Sequence, residues 1–164
     1  MTIPNTAPDW LDQLTGGPKM IVNFHNAGLM SPNDANNGRH HVQAWREQLT
    51  KHKGYHRWQL AATEGGHVTI QNVSSSRYVE PVRKSEDKAE YDNTGWGAWV
   101  WLEKGSPAGA RQQWTIWRYG ELYMFVLKDT EYAIGLRDLS HSDSHLDLFD
   151  ALYTSRNLWW IADA

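Results

Sequence analysis

The chain has 164 residues, 40% of them hydrophobic and 12% aromatic, which is enough to bury a substantial core as one compact domain. Its net charge is only −3 with Lys and Arg scattered, which argues against the clustered basic face of a nucleic-acid binder, and with no cysteine it holds neither a disulfide framework nor a thiolate zinc site. No apolar run is long enough to span a bilayer, and the opening Met1–Trp10 lacks a basic n-region and a long apolar h-region, so the expectation is a soluble, cytoplasmic protein.

In chain order, residues 1–17 form a lead segment. Trp10, Leu11 and Leu14 fall at helical spacing, and Gly16-Gly17-Pro18 ends the pattern, which predicts a short amphipathic turn laid over the domain. A first unit of about 18–62 follows: strand Met20-Ile21-Val22, strand Leu29-Met30-Ser31, the turn-rich loop Pro32–Gly38 with Asp34, strand Val42-Gln43-Ala44-Trp45, and Arg57-Trp58-Gln59-Leu60. Alternation in the third strand points Val42 and Ala44 inward, and predicts that Gln43 and Trp45 leave the core together.

A second unit, about 63–120, repeats the order with Val68-Thr69-Ile70, Tyr78-Val79-Glu80, Ala98-Trp99-Val100-Trp101 and Arg111-Gln112-Gln113-Trp114-Thr115-Ile116. It is longer, since 56 residues separate Trp58 from Trp114 against 45 from Trp114 to Trp159. The surplus falls in the polar stretch 83–95, read as solvated loop or as a protruding binding loop. Trp99 and Trp101 are expected to point outward, leaving about 1.5 to 3 kcal/mol of burial per indole unrealised unless a loop, partner or ligand covers them. Asn72-Val73-Ser74 has the form of a glycosylation sequon but reads better as a strand end.

A third unit, about 121–164, has Met124-Phe125-Val126, Ala133-Ile134-Gly135, Leu146-Asp147-Leu148-Phe149 and Asn157-Leu158-Trp159-Trp160-Ile161. Its stretch Ser140–His145 holds two histidines and an aspartate at alternate positions, but maps to a loop without an obvious further ligand, so no metal and no other cofactor is expected. Each unit ends on a tryptophan placed two residues before an aliphatic side chain, a spacing that puts both on one face of a strand.

Three repeats of four short strands, each closing on a QxW-like turn, resemble the ricin B-type β-trefoil, and in particular the cysteine-free, fungal-type ricin B-like lectins. The phrase around Trp114 matches that family's repeat ending, while His56 and Asn157 stand where it has Gln. The resemblance implies an all-β, β-trefoil domain with three pseudo-symmetric repeats. It also implies a non-catalytic, carbohydrate-binding function for glycan or glycoprotein partners.

By that resemblance an aspartate should follow strand two, an aromatic platform end strand three and an asparagine precede the QxW. These positions correspond to Ser31, Glu80 and Gly135, to Trp45, Trp101 and Phe149, and to Tyr55, Arg111 and Arg156. The aromatic shelves survive while the hydroxyl-reading groups do not, and repeat two keeps the fullest set in Glu80, Trp101 and Arg111. Asp34, Gln43 and Asp147 offer replacement acceptors, and Gln43 with Trp45 would flank a shallow pocket, the pairing of ring face and polar groups that a pyranose needs.

Two functions therefore stand side by side: a lectin with shallow sites made useful by multivalency, and a β-trefoil protease inhibitor acting on a serine, cysteine or aspartic protease through the 83–95 loop or the loop around Pro32. Catalysis is not expected, because the chain has no GxSxG elbow, HExxH helix or phosphate-cradling glycine loop.

Overall fold

The computed structural model describes residues 8–32, 40–46, 54–83, 96–103 and 112–164, and at 40, 82, 83 and 96–103 it describes the backbone only. Among the described residues a short α-helix, α1 (Leu11–Thr15), is followed by twelve strands, with 3-10 turns at Glu64–Gly66 and Ser155–Asn157. They are β1 (Lys19–Asn23), β2 (Leu29–Pro32), β3 (His40–Trp45), β4 (Trp58–Ala62), β5 (His67–Asn72), β6 (Tyr78–Arg83), β7 (Trp96–Glu103), β8 (Trp114–Tyr119), β9 (Leu122–Leu127), β10 (Tyr132–Leu136), β11 (Asp143–Asp150) and β12 (Trp159–Asp163).

Six strands pair in a closed ring, β1 to β12 to β9 to β8 to β5 to β4 and back to β1, always antiparallel. Closure gives these barrel strands no open edge. Each repeat adds one hairpin: β2–β3 joins β1 at Val22↔Leu29, β6–β7 joins β5 at Gln71↔Tyr78, and β10–β11 joins β9 at Val126↔Ala133. The hairpins also meet one another, since β3 pairs with both β7 and β11. A six-stranded barrel carrying three hairpins related by threefold pseudo-symmetry is the β-trefoil.

The three motif tryptophans carry that symmetry. Trp58, Trp114 and Trp159 are fully buried, and each indole Nε1 donates to a backbone carbonyl of its own repeat's second strand. The acceptors are Met30 at 2.7 Å, Val79 at 3.3 Å and Ile134 at 3.2 Å. A buried indole N–H needs such a partner, and the bond ties each hairpin to the barrel beneath it. Ile21, Leu60, Ile70, Phe125, Leu146 and Leu148 fill the same core.

The turns that follow the first barrel strand of each repeat are also related. Ala27, Ser76 and Asp129 adopt φ of 57°, 59° and 61°, left-handed backbone at non-glycine residues. In two of them an asparagine at the strand end closes the turn: Asn23 Oδ1 accepts from the His25 amide at 2.8 Å, and Asn72 Oδ1 from the Ser75 amide at 3.1 Å. Asn72 is fully buried at the end of β5, which agrees with a strand-end role for the sequon-like triplet.

The helical turn anticipated before the first repeat is present. Leu11 and Leu14 enter the main core, Trp10 packs 5.7 Å from the Tyr123 ring, and Gln59 of β4 donates to the Thr15 carbonyl at 3.1 Å. Gly17, at φ 104°, then turns the chain into β1.

Candidate functional site

Cross-strand register decides which residues occupy equivalent places in the three hairpins. Ser31 lies opposite Gln43, Glu80 opposite Trp101 and Gly135 opposite Asp147. Two residues along, on the same face, Leu29 lies opposite Trp45, Tyr78 opposite Glu103 and Ala133 opposite Phe149. The equivalents of Trp45 and Phe149 therefore include Glu103, and Trp101 shares its place with Gln43 and Asp147. The expected platform set of Trp45, Trp101 and Phe149 is corrected by two residues in repeat two. The alternating stretch ends strand three at Trp101, whereas β7 runs on to Glu103 and hydrogen-bonded pairing fixes the register.

A second correction concerns Gln43, which does not leave the core for solvent. It is 8% exposed, because β3 is paired on both sides, to β2 at Ser31 and to β11 at His145. Ser31 is fully buried and Asp147 nearly so, while Trp45, Glu80 and Phe149 are half-buried. Asp34 and Arg111 lie outside the described residues, as do the side chains of Trp99 and Trp101 and the loop residues 84–95.

Gln43 and Arg137, the ion-pair partner of Asp147, nevertheless line one cleft. A polar cleft of about 230 Å³ is lined by Gln43, Arg137, Asp138, Asp143, Ser144 and His145, and Arg137 Nε donates to Asp147 Oδ2 at 3.0 Å. The Ser140 amide and hydroxyl bind Asp138 Oδ1 at 2.9 and 2.7 Å and hold its carboxyl below the ordinary carboxylate value. Burial, with Arg137 beside it, pushes the His145 imidazole down against the opposing pull of Asp143. His141 pairs with Asp138 at 3.2 Å. Among the described residues no three His, Asp or Glu side chains converge as a metal ion would need.

Repeat three holds the better-formed cavity, about 410 Å³, in the range of small-ligand pockets. It opens where β11 ends, between Phe149 and Asp150 on one side and the turn Thr154–Asn157 on the other. The Arg156 guanidinium carbon lies 4.4 Å over the Phe149 ring, so a planar cation and an aromatic face stand together at its wall. Asn157 is 1% exposed, and its Nδ2 donates to the carbonyls of Asp150 and Leu152, both at 3.1 Å, which folds this segment back on itself. Its Oδ1 is buried and lacks a hydrogen-bond partner among the described residues.

The first repeat buttresses this cavity from outside. Asn23 Nδ2 donates to the Arg156 carbonyl at 3.1 Å, and the His25 ring bridges Ser155 Oγ at 2.9 Å and the Leu139 carbonyl at 2.8 Å. Gly135, where the lectin pattern has aspartate, is needed here: a Cβ on it would stand 2.2 Å from Asn157 Oδ1 and 2.9 Å from Phe149 Cδ2. The space an aspartate would use is filled by the asparagine of the QxW-like turn.

Of the residues forming this cavity, the sequence pointed to Phe149 alone as a binder. Arg156 and Asn157 stood out only as departures from the lectin pattern, and Asp150, Thr154 and Ser155 carried no signal beyond following the strand. One signal was legible: His56, Gln112 and Asn157 occupy one position, two before each tryptophan. All three are buried with a side-chain atom lacking a partner among the described residues, namely His56 Nδ1, Gln112 Oε1 and Asn157 Oδ1.

No family model matches this sequence, and no curated protein matches it either. Solved structures share its fold. The designed threefold-symmetric protein ThreeFoil superposes with a TM-score of 0.72 at 16% identity, over 90% of this chain and 99% of its own. The Macrolepiota procera ricin B-like lectin, solved in complex with lactose, gives 0.67 at 14% identity, over 92% of this chain and 97% of its own. An exo-β-1,3-galactanase from Clostridium thermocellum gives 0.70 at 18% identity, over 97% of this chain but 31% of its own. At these identities the likeness is one of fold, and the fold is the β-trefoil of ricin B-like lectins.

Proposed function

We propose that the protein is a carbohydrate-binding lectin without catalysis of its own, and that the repeat-three cavity is its glycan site. The observation that carries this reading is the convergence at one 410 Å³ opening of an aromatic ring, a guanidinium and an exposed carboxylate. A pyranose offers an apolar C–H patch for the Phe149 ring and hydroxyls that both donate and accept. Asp150 would accept from those hydroxyls, and Arg156 would donate to them.

The lactose complex of the Macrolepiota lectin supports a glycan ligand on this fold. The galactanase does not carry an enzymatic reading across, because the match spans under a third of its length. A single open site of this kind binds weakly, with Kd of about 1 mM.

The test is a glycan array followed by calorimetry on the wild type and Phe149→Ala. Retention of a glycan that is lost in Phe149→Ala supports the proposal. Submicromolar inhibition of a protease, with no glycan retained, would replace it with the inhibitor reading.

A further inference from the structure

We propose that the glycan site does not end at Phe149 but continues into a second compartment, and that its ligand is a neutral oligosaccharide of at least three rings. This rests on the lectin reading above and deepens it. A larger groove of about 750 Å³ adjoins the first cavity and is lined by Trp117, Asp129, Glu131 and Tyr132 among others. Asp150 and Leu152 line both. The two are thus separated by one exposed carboxylate and one side chain that is 61% exposed, a low sill over which a chain can pass.

The second compartment has an aromatic shelf of its own. Trp117 is half-buried and seated on a satellite core of Met124, Val126, Ala133 and Leu158, separate from the main one. Tyr153 packs 6.3 Å from its ring and stacks in turn on Tyr119 at 4.9 Å. Phe149 and Trp117 therefore stand on either side of Asp150, the disposition that successive rings of one saccharide chain would use.

The groove is also held open by its own bonds. The Ala151 amide donates to the Glu131 carbonyl at 2.8 Å, and Thr130 Oγ1 donates to the Leu127 carbonyl at 2.8 Å while accepting from the Tyr132 amide at 3.1 Å. These bonds fix part of the lining before binding, which lowers the entropic cost.

Charge selects within the class. Asp129, Glu131 and Asp150 line this second compartment with no Lys or Arg among its described lining residues, and Arg156 stands in the first cavity, so sialylated, sulfated or uronic chains meet like charge in the second compartment, while neutral hydroxyls find acceptors.

The experiment is calorimetry with two series, galactose, lactose and galactosyl-lactose, and N-acetylglucosamine with its dimer and trimer, plus sialyl-lactose. In one series the trimer should bind about tenfold or more tighter than the monomer, and sialyl-lactose should bind no better than lactose. Trp117→Ala should bring trimer and monomer affinities within about twofold of each other. Because Trp117 also packs on the satellite core, Glu131→Lys at an exposed position provides an independent variant, expected to raise the ratio of sialyl-lactose to lactose affinity.

Equal affinities along a series that does bind, or a sialyl-lactose preference in the wild type, would overturn the extended groove and leave the lectin reading standing. Binding of neither series would remove both.

Discussion

Gly135 and Asn157 occupy one space between them: the side chain that the first lacks is replaced by the carboxamide of the second, whose Oδ1 would stand 2.2 Å from a Cβ at position 135. Gly135→Ala should therefore destabilise the fold by about 1 to 3 kcal/mol through overpacking. Gly135→Asp, which would restore the lectin-type carboxylate, should do no better. Urea midpoints measure both. Pairing Gly135→Ala with Asn157→Ala should cost less than the sum of the two single changes, since the clash partner is gone.

The Arg156 guanidinium, stacked on Phe149, is expected to read sugar hydroxyls as well as brace the ring. Charge-assisted hydrogen bonds contribute about 1.5 to 3 kcal/mol, so Arg156→Ala should weaken glycan binding about tenfold or more. Arg156→Lys should recover only part of this, because an ammonium lacks the planar fork. Titration of each variant with the best array ligand gives the answer.

Three equivalent indole bonds predict three similar penalties. Trp58→Phe, Trp114→Phe and Trp159→Phe each retain most of the apolar burial but leave a buried carbonyl, of Met30, Val79 or Ile134, without its donor. Each should cost about 1 to 3 kcal/mol for that group alone, before any cavity left by the smaller ring. A penalty at one position several times that at the others would show that the repeats do not share the load as the geometry implies.

Burial pushes the imidazoles of His56, His67 and His145 below their ordinary value, reinforced by Arg57, Lys128 and Arg137 respectively, with Asp129 and Asp143 opposing at the last two. A histidine whose folded value is depressed takes up fewer protons folded than unfolded. Its contribution is complete above the unfolded value near 6.5 and is lost as pH falls below it. Stability should thus decline as pH falls through the unfolded histidine value near 6.5, ahead of carboxylate titration. His67 Nδ1 lies 2.9 Å from Thr115 Oγ1 in the buried interior, and His67→Gln should flatten that slope in urea denaturation series.

The fold was legible because one strong signal, a tryptophan recurring before an aliphatic residue, coincides with the point where each hairpin is hydrogen-bonded to the barrel. The site was less so. Alternation separates the two faces of a strand, but it does not say whether the second face meets water or another hairpin, which is why Gln43 turned out buried. The alternating pattern ended strand three at Trp101 where register puts Glu103, because pairing rather than pattern length aligns the hairpins. The repeat-three cavity was hidden for a different reason. Its key pair, Gly135 and Asn157, is complementary only in three dimensions, and each alone reads as a defect of the lectin pattern.

The first and last strands of the fold are partners, matched residue for residue from Lys19↔Asp163 to Asn23↔Trp159, with the Lys19 ammonium bound to the Asp163 carboxylate. Because this pair is antiparallel, tension applied at those two positions would load the rungs one after another, as in a zipper, and not all at once in shear. The barrel has a seam, and under mechanical pull that seam, not any of the internal repeat boundaries, is where it should first come open.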